Sequence, residues 1–209
     1  VRGDLLVAAD GVKSALRLQM LGPDRPVYYG NVAWRGVIRA DRLPPDFMPR
    51  DHVIWVGPGR HLVLYWLRRG ELLNLVGPVE REMAVAESWT VRADRAELEA
   101  DYAGWHPDVL AAIRALDPED CYLSALNVRK PVTRWRTERA VVVGDAAHPM
   151  LPYLAQGAAM AVEDAAILAR LMAEEGAIPE LLERFQRIRA PRAARVMEGS
   201  ARMGEINHM

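Results

Sequence analysis

The sequence predicts a mixed α/β protein in which a parallel, ligand-holding part and an antiparallel sheet are interleaved along the chain. Three observations carry this. A strand–turn–helix run occupies Val141 to Met160, a second occupies Asp4 to Arg17, and a series of β-rich segments broken by Gly and Pro lies between them.

In order along the chain, the stretch Asp4-Leu-Leu-Val-Ala-Ala-Asp-Gly-Val-Lys-Ser-Ala-Leu-Arg17 reads as a strand ending at Ala9 and a sharp turn at Asp10-Gly11. Ser14 is then placed to cap a following helix. Val27 to Arg39 alternates and is rich in β-formers, and Asp41 to Pro49 is a proline-studded loop. Three short strands follow, at Asp51 to Val56, Arg60 to Leu67 and Glu71 to Val76, with turns at Gly57-Pro58-Gly59 and Arg69-Gly70. These form an antiparallel sheet. Helical periodicity covers Ala93 to Leu116 with a break near Gly104 to Pro107, and Cys121 to Val128 returns as a strand beside that sheet.

Val141 to Val143 is a short apolar β-branched run of the kind that fills the middle of a sheet covered on both faces. Gln156-Gly157 then opens a closely packed helix through Ala158, Ala159, Ala161, Ala165 and Ala166, and a helical tail starts near Pro179. The expected organisation is one lobe from residues 1–26 and 129–175, a sheet lobe from 27–128, and a helical region over 176–209.

Composition permits a sizeable core: the chain has 209 residues, 51% hydrophobic and 26% charged. A net charge of −1 gives no field favouring nucleic acid or an anionic membrane. The single cysteine, Cys121, excludes an internal disulfide and fits a reducing cytoplasm. Apolar stretches are broken well short of the ~20 residues a membrane span needs. The expectation is therefore a cytoplasmic protein with no nucleic-acid or membrane partner.

The chemistry gathers at strand and helix ends. Gly144 and Asp145 stand at the carboxyl end of a predicted strand, where ligands of open α/β sheets bind, and the carboxylate can accept hydrogen bonds from ribose hydroxyls. Free N–H groups at Gly157 carry partial positive charge, so an anionic group over them is stabilised. Each piece alone is ordinary α/β packing. On the middle strand, His61, Val63, Tyr65 and Leu67 point one way, and Leu62, Leu64 and Trp66 the other. At about 3.3 Å per residue, His61 and Tyr65 stand roughly 13 Å apart with room for an aromatic ring across Val63. Their plainer reading is a hydrogen-bonded pair on a half-buried sheet.

The stretch Val141-Val-Val-Gly-Asp-Ala-Ala-His-Pro-Met-Leu-Pro-Tyr-Leu-Ala-Gln-Gly-Ala-Ala-Met160 resembles the second flavin-binding motif of the single-component FAD-dependent aromatic hydroxylases. Its Met-Leu-Pro-Tyr-Leu-Ala-Gln-Gly-Ala portion is most similar to the salicylate and 3-hydroxybenzoate 6-hydroxylase branch. Asp4 to Arg17 resembles the same family's Asp-Gly motif, His61 to Leu72 its substrate-pocket strand, and Ala33-Trp-Arg-Gly36 a recurrent family strand.

The resemblance implies a Rossmann-like FAD lobe, NAD(P)H as co-substrate, and O2 used to hydroxylate a phenolic or hydroxylated N-heteroaromatic acid. It places Asp10 and Gly11 by the FAD pyrophosphate, Asp145 by the ribitol or ribose, and Gln156, Gly157 and Ala158 at the flavin edge. His61 and Tyr65 would line the substrate pocket, with His61 taking a phenolic proton. The family's opening Gly-x-Gly-x-x-Gly loop is absent from these 209 residues.

The expectation is thus a carboxyl-terminal portion that needs a missing segment or partner chain, or pairs with itself as a homo-oligomer. The alternative is a non-catalytic half that assembles an FAD site only with a partner. A halogenase-like relative is a third reading, against which the His61 and Tyr65 match argues. His148 lacks a second ligand at sensible spacing, so no metal is expected. Arg184, Arg187, Arg189, Arg192 and Arg195 read as a solvated or interlobe face.

Overall fold

The computed structural model describes residues 2–48, 51–82 and 91–209. In chain order the elements are β1 (Leu6–Ala8), α1 (Ala15–Leu21), β2 (Val27–Arg39), β3 (His52–Gly57), β4 (Arg60–Leu67), β5 (Leu72–Glu80), α2 (Arg95–Asp101), α3 (Pro107–Ala115), β6 (Tyr122–Val128), β7 (Ala140–Val142), α4 (Gly157–Met172) and α5 (Ile178–Asn207). They fall into two compact units, one of Val1–Val27 and Val128–Gly204, the other of Tyr28–Asn127 and Glu205–Met209.

In the first unit β1 and β7 pair in parallel, with Leu6 opposite Ala140 and Ala8 opposite Val142. Parallel pairing sends the turns after both strands out of the same end, so Asp10-Gly11 and Gly144-Asp145 share one edge. Val141 and Val142 are fully buried with Trp135, Met160, Leu182 and Phe185. The sequence put this run in the middle of a sheet. β7 has β1 on one side, and on the other Val141 forms an antiparallel bridge with Arg136 and the Val142 N–H donates to the Trp135 carbonyl at 2.9 Å, so the run has backbone partners on both edges.

The second unit is a five-stranded sheet ordered β3-β4-β5-β2-β6, antiparallel between β3 and β4, β4 and β5, and β5 and β2. Alternation along the strands gives each face its own composition. Leu62, Leu64, Leu73, Leu75, Val32, Trp34 and Ile38 bury one face with Leu98, Tyr102, Val109, Ile113 and Leu116 from the helical segment. Each such fully buried side chain contributes about 1.5–3 kcal/mol. Ile54, Val56, Tyr65 and Val37 remain exposed on the other face.

Asp94 caps α2 and His106 caps α3, so the expected break at Gly104 to Pro107 has a capping residue on its far side. The loop expected over Asp41 to Pro49 begins as a 3-10 turn at Ala40–Arg42, and its last residue lies outside the described residues.

One strand runs longer than its pattern implied. The sequence ended it at Val76, whereas β5 continues through Gly77 and Pro78 to Glu80 in the interior of the sheet. Proline there cannot donate to a neighbouring strand. Tyr102 makes good the loss, its hydroxyl donating to the His61 carbonyl at 2.8 Å. Gly77 makes room for that hydroxyl: a Cβ at this position would stand 2.6 Å from Tyr102 Oη and 3.1 Å from Leu62 Cδ1. Among the described residues no helix is long and apolar enough to cross a membrane.

Candidate functional site

The two strand-end turns of the first unit are tied together by buried polar contacts. Asp10 accepts from the Ser14 hydroxyl at 2.5 Å and from the Leu16 N–H at 3.2 Å, while Ser14 Oγ accepts from the Arg17 N–H at 2.8 Å. The Ser14 hydrogen bond holds the Asp10 carboxyl below its usual range against a smaller opposing effect of burial. The carboxylate thus organises the start of α1, and Gly11 takes the left-handed φ of +79° that the turn requires. Arg17 is only 4% exposed and donates to the carbonyls of Ala146 and Ala147, each at 2.9 Å, while pairing with Asp24 at 2.6 Å. Its guanidinium fixes the backbone beside Asp145.

A buried carboxylate secures the same turn from the helix side. Asp164 of α4 is fully buried and accepts from the Gly144 N–H at 2.8 Å, His148 Nε2 at 2.6 Å and Arg189 Nε at 2.7 Å. Burial pushes its carboxyl up, but these three donors more than offset it and the net direction is down. Gly144 adopts φ of +57°, and a Cβ there would stand 3.3 Å from that of Ala161. Arg189 also binds Glu163 at 2.6 Å and the Met160 carbonyl at 3.2 Å. Hydrogen bonding from Arg192, opposed by burial and reinforced by Arg189, holds Glu163 at about 2. Arg189 therefore departs from the solvated or interlobe face expected for the arginine run: it is 2% exposed and committed within its own unit.

Against this scaffold the flavin candidates are open. Asp145 is exposed in the 3-10 turn Gly144–Ala146, and no side chain caps α4 at Gln156. Ala155 takes a left-handed φ of 52°, and Gln156, Ala158 and Ala159 are exposed. The helix's first i→i−4 bond is Met160 N–H to the Gln156 carbonyl, so the N–H groups of Gly157, Ala158 and Ala159 precede the ladder. A Cβ at Gly157 would come no closer than 3.9 Å to Met150 Cγ, so this glycine bares backbone and avoids no clash. N–H groups at the end of a 16-residue helix suit an anionic ring edge, and the exposed carboxylate suits hydroxyl groups. The donor set fits an isoalloxazine nucleotide.

In the second unit His61 and Tyr65 share the sheet face opposite α2 and α3. Tyr65 is opposite Asn74, itself opposite Val37, and the next row holds Val63, Val76 and Arg35. The two candidates differ in access, His61 being 2% exposed and Tyr65 37%. His61 Nδ1 lies 2.8 Å from His208 Nε2. Burial, and then His208, push the His61 imidazole down to about 4. A cleft of about 220 Å³ opens beside this face, lined by Arg35, Val37, Asn74, Val76, Asp120 and Tyr122. Burial lowers Arg35 to about 10, with Tyr65 acting in the opposite sense. Trp34 faces the core, where its indole N–H donates to Asp101 at 2.7 Å.

Asp145 and Gln156 to Ala158 thus lie on a turn and helix joined by the Gly144–Asp164 bond, and Asp10-Gly11 is linked to that turn through Arg17. His61 and Tyr65 belong to the other unit. Sequence reasoning did not single out Asp164, Glu80, Tyr102 or His208. Asp164 carried a signal, an acid inside an otherwise small and apolar run, whereas His208 is brought to His61 from 147 positions away.

A family model described as FAD binding domain matches residues 1–200, and the chain belongs to that family. It is 39% identical over 202 residues to 6-hydroxynicotinate 3-monooxygenase of Bordetella bronchiseptica, covering 94% of this chain and 52% of that protein. With 3-hydroxybenzoate 6-hydroxylase of Klebsiella oxytoca it shares 37% over 208 residues, covering 98% and 51%. The chain spans about half the length of the curated relatives it matches. Among solved structures it is similar to Klebsiella pneumoniae HpxO complexed with FAD and uric acid, at a TM-score of 0.86 and 30% identity over 100% of this chain and 52% of that one. A salicylate hydroxylase substrate complex gives 0.85 and 27%, covering 99% and 55%.

Proposed function

We propose that this chain is the carboxyl-terminal portion of a flavin-dependent monooxygenase that hydroxylates a phenolic or hydroxylated N-heteroaromatic acid, with NAD(P)H and O2 as co-substrates. The uncapped, exposed start of α4, packed beside the turn that bears Asp145, is the observation that carries this reading. When bound, FAD supplies the redox chemistry, taking reducing equivalents from NAD(P)H and activating O2.

The chain's own residues bind and orient. Gly157, Ala158 and Ala159 offer N–H groups to the anionic ring edge, Gln156 flanks it, and Asp145 accepts from ribityl or ribose hydroxyls. Asp10 and Gly11 shape the pyrophosphate side through the cap on α1. On the sheet face Tyr65 hydrogen-bonds the aromatic acid, Arg35 provides a cation for its carboxylate, and His61 removes its phenolic proton to raise ring electron density.

A second reading is supported by the half-length match: the chain completes an FAD site only with a partner carrying the remaining segment. Titrating the purified chain with FAD, followed by flavin absorption and fluorescence, separates the two. Binding that weakens about tenfold or more in Asp145→Ala and in Gly157→Val, equivalent to ~1.4 kcal/mol or more each, supports an FAD site within the chain. No binding at saturating FAD removes that site and leaves the partner-dependent reading.

A further inference from the structure

Three side chains from separate elements form a line in the second unit. Glu80 Oε1 on β5 lies 3.1 Å from His208 Nδ1, and His208 Nε2 lies 2.8 Å from His61 Nδ1 on β4. The Glu80 side chain is 58% exposed, whereas the His208 side chain is 3% exposed and His61 2%. Backbone contacts fix both rings in place, with the Gly59 N–H donating to the His208 carbonyl at 3.0 Å and Tyr102 to the His61 carbonyl at 2.8 Å. Asn31 Nδ2, 3.2 Å from His208 Nδ1, competes with Glu80 for that nitrogen.

We propose that Glu80 and His208 are positioning residues that hold His61 with its proton on Nδ1 and its lone pair on Nε2, and that His208 takes over the positive charge when Nε2 accepts a proton. The identity of the proton donor, a phenolic substrate, rests on the hydroxylase reading above; the tautomer does not.

The order of donors follows from Glu80. A carboxylate only accepts, which places the His208 proton on Nδ1 and leaves a lone pair on Nε2. That lone pair accepts in turn, so His61 must donate from Nδ1. If the Asn31 amide donated to His208 Nδ1 instead, every proton in the line would reverse. A hydrogen bond to an ionised acceptor is about twice as strong as a neutral one, so the carboxylate wins and the Asn31 amide turns its oxygen to the ring.

The transfer balances without an added reactant. The substrate O–H bond breaks and His61 Nε2–H forms, then His61 Nδ1–H breaks and His208 Nε2–H forms. His61 ends neutral and the cation rests beside Glu80. Burial and the neighbouring ring keep His61 at about 4, so a cation confined to His61 is disfavoured and the second transfer relieves it. Titratable groups close to the line include Tyr102, raised by burial and then by Asp101 with Arg60 opposing, and Tyr29, raised by burial and by Glu205 and Glu80.

The test is nitrogen NMR of histidine-labelled full 209-residue chain, which reads the His61 tautomer with no flavin or substrate present. The expected result is the Nδ1–H form in at least about tenfold excess. Glu80→Gln should bring the two forms towards parity, and Asn31→Ala should leave the excess in place. An Nε2–H His61 in the wild type, an unchanged ratio in Glu80→Gln, or a reversal in Asn31→Ala would overturn the relay. The wild-type spectrum decides by itself, so a variant that fails to fold does not shelter the proposal. A wrong tautomer sinks the relay and leaves the hydroxylase reading intact, whereas absent flavin binding removes an FAD site within the chain and leaves the tautomer standing.

Discussion

Asp164 in the first unit and Glu80 in the second each hold a histidine, but Asp164 is fully buried among charged donors and Glu80 is mostly exposed. The first binds His148, Arg189 and the Gly144 N–H from within 25 positions of itself; the second reaches His208 across 128. Buried and locally assembled, the Asp164 group can fix a turn for ligand binding with little freedom left to move a proton. The Glu80 line keeps one end in water and two rings in the interior, an arrangement suited to shifting charge.

The sharpest way to break this contrast is to remove each carboxylate. Asp164→Ala leaves the Gly144 N–H, His148 Nε2 and Arg189 Nε without their buried acceptor, with Glu163 the remaining carboxylate on Arg189, and urea unfolding should show a loss of about 3–5 kcal/mol. Glu80→Ala should cost about 1 kcal/mol or less, since its carboxylate is largely solvated even though His208 is buried. Equal losses would dissolve the distinction.

Next in size is a pH effect from the second unit. The His61 value falls from 6.5 in the unfolded chain to about 4 in the folded one. Between those values the unfolded chain binds the extra proton, so stability is lost as pH drops from 6.5 to 4 and levels off below, on the order of 3 kcal/mol in all. Denaturant midpoints measured across this window should slope steeply in the wild type and more gently in His61→Gln; parallel slopes would show that His61 is not the titrating group.

Gly77→Ala sharpens the packing side of the comparison. The added methyl meets Tyr102 Oη at 2.6 Å and should cost about 1–3 kcal/mol in thermal unfolding. Because the clash involves that hydroxyl, Tyr102→Phe in the same chain should recover part of the loss, and strict additivity of the two changes would contradict the contact. The smallest effect is expected for Glu174→Gln on the surface of the first unit, where the pair with Arg184 is 43% and 40% exposed and should shift stability by less than about 0.5 kcal/mol.

What could be read in advance follows the same division. The alternation on β4 marks its two faces because period-two burial is a local property, and the Ser14 cap is visible because a cap and its target lie three residues apart. The strand–turn–helix around Asp145 is likewise compact in sequence. Pro78 hid the end of β5, because the group that stands in for its missing donor, Tyr102, caps the carboxyl end of α2 later in the chain. Charge alone suggested that the arginines of α5 form a solvated or interlobe face, and only the fold brings Asp164 to Arg189. The partner of His61 had no local signature at all.

The Arg17 tether bears on how the polypeptide acquires its shape during synthesis. Its acceptor carbonyls lie 129 and 130 residues downstream, so a ribosome must deliver all of the intervening chain before this guanidinium can meet them. Until then β1 lacks β7, the strand it pairs with in parallel. β1 and α1 must therefore wait for β7 while the intervening sheet is made, and contacts of such long sequence separation are those that form slowly and invite aggregation.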